Sequence, residues 1–326
     1  MELFEDKTLT RSVLLLLVFL LWGGWAHTFK CTRGSRFEIY CIDFVVGILL
    51  ATGALFLLES VASFHTVGEL VKAWRETRVL VIRAFFAGIV FNIANIFLIA
   101  SSAFSGIGTT FLTVFGTALI VDQGIYSYFS SEHHAAIWIG SSFFLLLSIF
   151  PICLLQKRLH FSEAKKAMGL SCVAGICLSL FYPLFDRAID TVATQRLPAI
   201  IACIFLAAGI TFSGLFCAPI LCRKPLFGHA IGFSSYARAP FRYHKMGALG
   251  GALWFSGLWI KLHAERSPHE LGVFFAVQLA PLCTFFLGIF VWREIASSWQ
   301  YRKLFLSLFF CYLLGVFLIA YDRYGS

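Results

Sequence analysis

Charged residues are scarce in this chain of 326 residues: they make up 13% of it, about half the share found in soluble domains. Proline and methionine are also rare, with 8 and 3 residues, whereas 59% of the chain is hydrophobic and the mean hydropathy is +0.83. Apolar runs of about 20 residues recur along it, and such runs are typical of membrane-spanning helices, whose backbone satisfies its own hydrogen bonds. We therefore predict an all-α integral membrane protein.

Motifs of energy conversion and catalysis are missing as well. The chain has no GxxxxGK[ST] loop for nucleotide phosphates and no HExxH zinc motif. Its ten cysteines form no CxxC pair and no cluster with histidine at metal-ligand spacing. We expect neither an enzyme nor a bound cofactor or metal, and we leave coupling to protons or sodium ions open.

Ten spans can be drawn, and the loops between them show a pattern. A long second loop and a very short third loop in the first half recur as a long seventh and a very short eighth loop in the second half. Aligning Gly88 with Gly250 places Asn92 on Trp254 without a gap. Two copies of five helices lie in opposite orientations, as in many secondary transporters. We predict inverted five-helix repeats at 1–160 and 161–326 in one membrane domain. The predicted spans are 12–29, 38–58, 79–101, 106–122, 134–155, 166–187, 197–222, 246–264, 269–292 and 301–322.

The net charge of +9 comes from Lys and Arg in short loops and at span ends, where they contact headgroups rather than nucleic acid. With the first residue cytoplasmic, 11 of the 26 Lys and Arg would lie inside. The positive-inside rule therefore favours both termini outside, and we leave the topology open.

We expect a bacterial cytoplasmic-membrane protein, monomeric or homodimeric, whose partners are the lipid bilayer and a small-molecule substrate.

The most unusual stretch ends the first span as Trp22-Gly23-Gly24-Trp25 and continues to His27. Trp22 and Trp25 lie three residues apart, hence on nearly one helix face. They predict flat stacking surfaces for a solute, with His27 as a hydrogen-bonding neighbour. The alternative is a belt of aromatic residues at the membrane interface.

Polar and aromatic side chains inside later spans extend this predicted site. Asn92 and Asn95 are amides near the bilayer centre, where they must face the protein interior, to bind solute or to join helices. Trp254 follows a Gly247-xxx-Gly251 packing face and is either a solute contact or a core residue. Tyr182 and Gln278 lie near Pro183 and Pro281, whose kinks free backbone carbonyls.

Asp43, near the start of the second span, is the candidate coupling group, because burial brings a carboxylate towards proton exchange at useful pH. The interpretation we favour for Asp43 is structural, as an ion pair with Arg36 or Lys30. Asp186 and Glu294 fall at span ends and indicate charges at the interface.

Several segments resemble one transporter family. WGGWAHTFK followed by RFEIYCIDFVVGILL resembles the opening of ureide-permease-like and glucose/ribose-type carriers of the drug/metabolite transporter superfamily. The likeness continues in AGIVFNIANIFLIAS, SLFYPLFDRA, Arg223-Lys224-Pro225, GGALWFSG and FAVQLAPLCTFFLGIFVWREI. The rhamnose–proton symporter branch is similar at the third, eighth and ninth spans, more distantly. The resemblance implies a ten-helix inverted-repeat carrier. His27 stands where the family commonly has Asn, and Gly257-Leu258 where a polar pair is frequent.

We thus predict a secondary carrier that moves a small polar metabolite, a nucleobase, ureide or sugar, by alternating access. An exporter or exchanger of amphipathic compounds is the first alternative, favoured by 37 phenylalanines. The second is an integral-membrane enzyme acting on lipid through Asp186, Asp190 and His160.

Overall fold

The computed structural model describes residues 7–32, 34–63, 67–129, 135–155, 161–189, 197–264, 271–294 and 299–325. Every regular element within these ranges is a helix, which confirms the predicted all-α class. The thirteen helices are α1 (Lys7–Gly24), α2 (His27–Cys31), α3 (Phe37–Ser63), α4 (Val67–Glu76), α5 (Arg78–Ser105), α6 (Ile107–Phe129), α7 (Ala135–Leu155), α8 (Phe161–Ile189), α9 (Ala199–Arg223), α10 (Phe233–Ala237), α11 (Phe241–Ala264), α12 (Leu271–Phe290) and α13 (Trp299–Tyr324).

Six of the described helices are long and apolar enough to cross a membrane. The qualifying segments are Phe37–Val61, Arg78–Ser105, Lys165–Ile189, Ala199–Arg223, Leu271–Phe290 and Leu306–Tyr324. Two shorter apolar segments, Leu9–Gly24 and Ala135–Ile149, lie in α1 and α7. The chain is therefore an α-helical integral membrane protein. In all, ten described helices have 18 residues or more, and each overlaps one of the ten predicted spans.

Large apolar side chains cover much of the outer surface. Leu50, Leu57 and Leu58 on α3 are 65 to 67% exposed, and Leu215 on α9 is 69% exposed. Soluble monomers rarely expose apolar surface on this scale. These helix faces are suited to contact with lipid chains, as the six apolar segments require.

Polar contacts between helices lie near both ends of the helix bundle. At what we call the upper end, Glu294 after α12 accepts hydrogen bonds from the first residues of α6, and Asp43 in α3 contacts His244 in α11. At the lower end, Arg323 in α13 contacts Asp122 in α6, and Lys261 in α11 contacts Asp186 in α8. The first residues of α1 and the last residues of α13 belong to the lower end.

Four glycines bring two pairs of helices into backbone contact. At the α5–α9 crossing, a Cβ on Gly88 would collide with the carbonyl of Leu206, and one on Gly209 with the carbonyl of Phe85. Only glycine permits such an approach. α5 therefore crosses α9 without intervening side chains.

The α3–α11 crossing repeats this geometry. A Cβ on Gly47 would collide with the carbonyl of Ala248, and one on Gly251 with the carbonyl of Phe44. Gly251 thus matches Gly88, one residue later than the sequence alignment with Gly250 predicts. The reason is that Gly250 faces the side chains of Tyr40 and Thr28 instead of a backbone.

The packing of the other helices also repeats between two parts of the chain. α5 packs on α8 and α9, and α11 packs on α1 and α3. α6 packs on α7 and α8, and α12 packs on α13 and α1. The helices correspond in pairs: α1 to α8, α3 to α9, α5 to α11, α6 to α12 and α7 to α13. Replacing each helix by its counterpart turns the contacts of α5 into those of α11, and the contacts of α6 into those of α12. The packing is thus arranged in two equivalent sets.

Candidate functional site

A cavity lies where the middle parts of α5, α8, α11 and α12 meet the end of α1 and the first half of α6. The volume open to the centre of a water-sized sphere is about 30 Å³, within about 500 Å³ of space between atoms that includes the open mouth. Its lining is Trp22, Trp25, Phe91, Ala94, Asn95, Leu98, Val114, Phe115, Leu178, Phe181, Tyr182, Trp254, Val277 and Ala280. No charged side chain belongs to this lining, so the cavity is suited to an uncharged ligand.

Asn95 is the polar centre of the cavity. The residue is 3% exposed, and both its amide nitrogen and its amide oxygen lack a hydrogen-bond partner. Leaving such a group unpaired in an apolar interior costs about 1–3 kcal/mol. A side chain that stays in this state offers a donor group and an acceptor group to whatever fills the cavity.

Stacked aromatic rings form one wall. The rings of Phe91 and Trp254 have centroids 3.8 Å apart and planes inclined by 25°. The rings of Trp22 and Trp254 have centroids 6.4 Å apart and planes only 10° apart. The indole N–H of Trp22 donates to the backbone carbonyl of Trp254 at 3.0 Å, which ties α1 to α11. The wall therefore presents flat, nearly parallel faces.

Five of the predicted site residues meet at this cavity: Trp22, Trp25, Asn95, Tyr182 and Trp254. The predicted spacing of Trp22 and Trp25 on one helix face agrees with their shared place in the lining. Trp25 also packs on Phe44 and Phe111, which fixes its ring between α3 and α6. Phe91 and Phe181 belong to the wall too. Sequence analysis missed them because phenylalanine is frequent in every span.

Three predicted residues lie outside the lining. Asn92 donates to the hydroxyl of Ser213 on α9 at 2.9 Å, so its amide joins two helices. Gln278 is half-buried on α12, and its backbone carbonyl accepts from the hydroxyl of Tyr312. His27 lies at the upper end, where its Nδ1 accepts from the indole of Trp292 at 2.8 Å. The Nε2 atom of His27 is buried without a partner.

Asp43 is buried, but not with the partners predicted for it. Its carboxylate accepts from the hydroxyl of Tyr236 at 2.6 Å and lies 2.9 Å from Nδ1 of His244. Burial, followed by the hydrogen bond to Asp43, raises the pKa of Tyr236 above its ordinary value, so this hydroxyl stays a donor. The predicted ion pair of Asp43 with Arg36 or Lys30 is wrong. Arg36 and Lys30 each contact a different carboxylate.

Those carboxylates are Glu38 and Glu294. Arg36 binds Glu38 through two nitrogens, at 2.8 and 3.1 Å. Lys30 lies 2.8 Å from Glu294. Arg36 and Glu38 are close in sequence, whereas Lys30 and Glu294 belong to distant segments that only the fold brings together.

Glu294 was predicted as a charge at the membrane interface, but its carboxylate also contacts the start of α6. Its two oxygens accept from the backbone N–H groups of Ile107 at 2.8 Å and Gly108 at 3.0 Å, the first residues of α6. A carboxylate at a helix N-terminus satisfies unpaired donors and the helix dipole. Cβ atoms on Gly106 or Gly288 would fall within 3 Å of this carboxylate. In the sequence, only the Gly-Ile-Gly stretch after α5 indicated that another group approaches the backbone at this point.

The lower end carries a second polar cluster. Arg323 contacts both Asp122 at 2.8 Å and the amide oxygen of Gln123 at 3.0 Å. Gln123 in turn donates to Asp322. The cavity thus lies between two polar clusters, one around Glu294 and one around Arg323.

Of the three residues suggested for an enzyme acting on lipid, the structure describes only Asp186. Asp186 lies 3.4 Å from the amino group of Lys261 at the lower end. Asp190 and His160 lie outside the described residues. Within the described ranges, no group of three His, Cys, Asp or Glu side chains could hold a metal ion.

Comparison with known proteins informs the fold. No protein-family profile matches the chain, and no curated protein matches its sequence. A solved structure described only as "Crystal structure of protein" superposes with a TM-score of 0.55 and 15% sequence identity. The match covers 96% of this chain and 97% of that one. At this identity the likeness shows a shared fold and nothing about ligands.

Proposed function

We propose that this chain is a secondary transporter of the drug/metabolite transporter superfamily, similar to its ureide-permease-like and glucose/ribose-type carriers. Ten helices cross the membrane as inverted repeats at 1–160 and 161–326. A small, uncharged, planar metabolite binds in the central cavity, and alternating access moves it across the membrane.

The observation that carries the proposal is the unpaired amide of Asn95 inside an aromatic cavity. A purely structural asparagine at this depth would find a partner, as Asn92 does one turn away. The free donor and acceptor of Asn95 fit a ligand edge that carries a neighbouring acceptor and donor, which is how asparagine binds a nucleobase edge.

The flat walls narrow the substrate class. The rings of Phe91, Trp254 and Trp22 offer stacking surfaces, whereas a sugar needs several hydrogen bonds around its rim. Asn95 and Tyr182 are the polar side chains of the lining apart from the indole N–H groups. We therefore place nucleobases and cyclic ureides ahead of sugars.

The paired glycine crossings support the inverted repeat. Gly88 and Gly209 join α5 to α9 in the way that Gly251 and Gly47 join α11 to α3. Inverted repeats with a ligand site midway between them are the common architecture of secondary transporters. The depth of the cavity, flanked by the polar clusters around Glu294 and Arg323, fits that architecture.

An exporter of amphipathic compounds is the second candidate. Most of the lining is apolar, and Phe115 and Phe181 widen its aromatic surface. Such a substrate would bind without needing the amide of Asn95, which gives a way to separate the two candidates.

The test is a thermal-unfolding screen of purified protein against nucleobases, ureides, sugars and amphipathic aromatic compounds. A ligand at 100 times its Kd stabilises the fold by about 2.7 kcal/mol. We expect a planar heterocycle to raise the Tm of wild type and of an Asn92→Leu variant, but not of Asn95→Leu. Uptake of the labelled hit, chemically unchanged, into proteoliposomes would complete the test.

Two results would refute this assignment. If Asn95→Leu keeps the full ligand shift, the amide does not bind the substrate and the amphipathic exporter is favoured. If the labelled hit or a labelled phospholipid is converted to a new compound, the protein is an enzyme.

A further inference from the structure

The upper end of the molecule is strongly basic. Eleven Lys and Arg and four Asp and Glu whose side chains the structure describes lie there. They are Lys30, Arg36, Lys165, Lys166, Arg223, Lys224, Arg238, Arg242, Lys245, Arg293 and Lys303, with Glu38, Asp43, Glu163 and Glu294. Three of these carboxylates already contact Arg36, His244 and Lys30. The excess of positive charge is therefore not neutralised within this end.

Most of the excess belongs to one segment, residues 223–245, which we call the basic segment. It carries Arg223, Lys224, Arg238, Arg242 and Lys245, all exposed, and the chain has no Asp or Glu from 191 to 264. The lower end differs, because the cations Lys72, Arg75 and Arg78 alternate there with Glu69 and Glu76.

The basic segment is fixed to the membrane body rather than projecting from it. Arg36 donates to the carbonyl of Phe227, and Lys166 donates to that of Leu226. The ring of Phe227 packs on Phe104 with centroids 3.6 Å apart. The hydroxyl of Tyr236 binds Asp43. These contacts hold the exposed cations of the segment close to the rim of the helix bundle.

An exposed aromatic ring lies among these cations. Phe241 is 76% exposed, and the amino group of Lys245 lies 5.8 Å from the centre of its ring. Next to it, Arg242 lies over the ring of Tyr243. Aromatic rings flanked by Lys and Arg are suited to the headgroup layer, where the rings enter the lipid boundary and the cations meet phosphate.

We propose that the basic segment binds the headgroups of anionic phospholipids, and that the upper end therefore faces the cytoplasmic leaflet. Each Lys or Arg near an anionic membrane surface strengthens binding severalfold. Charge complementarity selects the ligand, since an unneutralised cluster at the rim of a membrane protein meets lipid phosphates at the highest local concentration. The first residues of α1 and the last residues of α13 then lie on the opposite side of the membrane.

The test uses the full chain in nanodiscs of phosphatidylcholine with or without phosphatidylglycerol, followed by native mass spectrometry of the retained lipids. We expect wild type to retain phosphatidylglycerol in preference, and the preference to fall as salt rises. The triple variant Arg238→Gln/Arg242→Gln/Lys245→Gln should reduce the preference at least about tenfold at low salt. The matched control is Lys72→Gln/Arg75→Gln/Arg78→Gln, which removes three cations from the lower end.

Three outcomes would overturn the proposal. Wild type could show no preference for phosphatidylglycerol, which would point to an acidic soluble partner instead. The control variant could lose as much preference as the upper-end variant. In cells, a green fluorescent protein fused after residue 326 could fluoresce and an alkaline phosphatase fused there could be inactive, which would place the upper end away from the cytoplasm. The wild-type measurements stand even if a variant fails to fold.

Discussion

The indole N–H of Trp22 donates to the backbone carbonyl of Trp254 at 3.0 Å, and the two rings lie nearly parallel. This contact joins the first and eighth of the ten long helices beside the cavity. Because one residue supplies both a hydrogen bond and a stacking face, its structural and ligand-binding roles can be separated by experiment.

Replacing Trp22 by Phe removes the bond and keeps an aromatic ring. We expect the free energy of unfolding to fall by about 1 kcal/mol, the net value of one such bond, and the ligand-induced Tm shift to fall as well. Trp138→Phe is the control, since Trp138 donates to the carbonyl of Ile120 outside the cavity. Equal ligand shifts in the two variants would contradict a binding role for Trp22.

The two asparagines on α5 should respond in opposite ways. Asn95→Leu removes an unpaired buried amide, so we expect unchanged or higher stability without ligand. Asn92→Leu breaks the bond to Ser213 and should cost about 1 kcal/mol. Reversible unfolding in mixed detergent measures both. A clear loss of stability in Asn95→Leu would mean that its amide has a structural partner.

Glu294→Gln tests the polar cluster at the upper end. The change removes the charge that faces the N-terminus of α6 and the ion pair with Lys30. We expect a loss of about 2 kcal/mol, the scale of hydrogen bonds to a charged group. Arg293→Gln, at the exposed neighbouring residue, should change stability by less than about 0.5 kcal/mol. Similar losses in both variants would show that the carboxylate is not what stabilises this end.

The helix crossings depend on having no side chain at particular points. Gly88→Ala and Gly47→Ala would each drive a methyl group into a partner backbone and should cost about 3 kcal/mol or more. Gly53→Ala on α3 is the control, because a Cβ there meets nothing within 4 Å. That variant should gain up to about 1 kcal/mol from helix propensity. Thermal unfolding of the three proteins decides the matter.

Asp43→Asn tests the proposed coupling role. If the carboxylate exchanges the coupling proton, the variant still binds ligand but its uptake into proteoliposomes no longer depends on a pH gradient. Asp186→Asn at the lower end is the control and should keep that dependence. Retained pH dependence in Asp43→Asn would leave Asp43 as a structural acceptor for Tyr236 and His244.

Sequence alone identified five of the fourteen residues that line the cavity. Trp22, Trp25 and Asn95 were identifiable because indoles beside glycines and amides inside apolar runs are costly unless they serve a purpose. The same rule could not separate Asn95 from Asn92. Both lie in the middle of α5, and only the position of Ser213 on another helix decides which amide stays unpaired.

The partners of the charged side chains could not be predicted from the sequence. Arg36 and Lys30 lie shortly before Asp43 in the sequence, yet Asp43 is bound by Tyr236 and His244, about two hundred residues later. Side chains in a membrane bundle pair with what lies beside them at the same depth. Depth can be read from the spans, but neighbours depend on how the helices cross.

The amino-acid sequence by itself determined the class of the protein, an α-helical membrane protein, and the approximate positions of its long helices, because apolar runs in lipid must close their own backbone hydrogen bonds. The tertiary structure decided which side chains share the cavity and which form the polar clusters at the two ends. The close crossings at Gly88, Gly209, Gly47 and Gly251 set those positions, and a crossing is a contact between two distant segments that neither segment encodes alone.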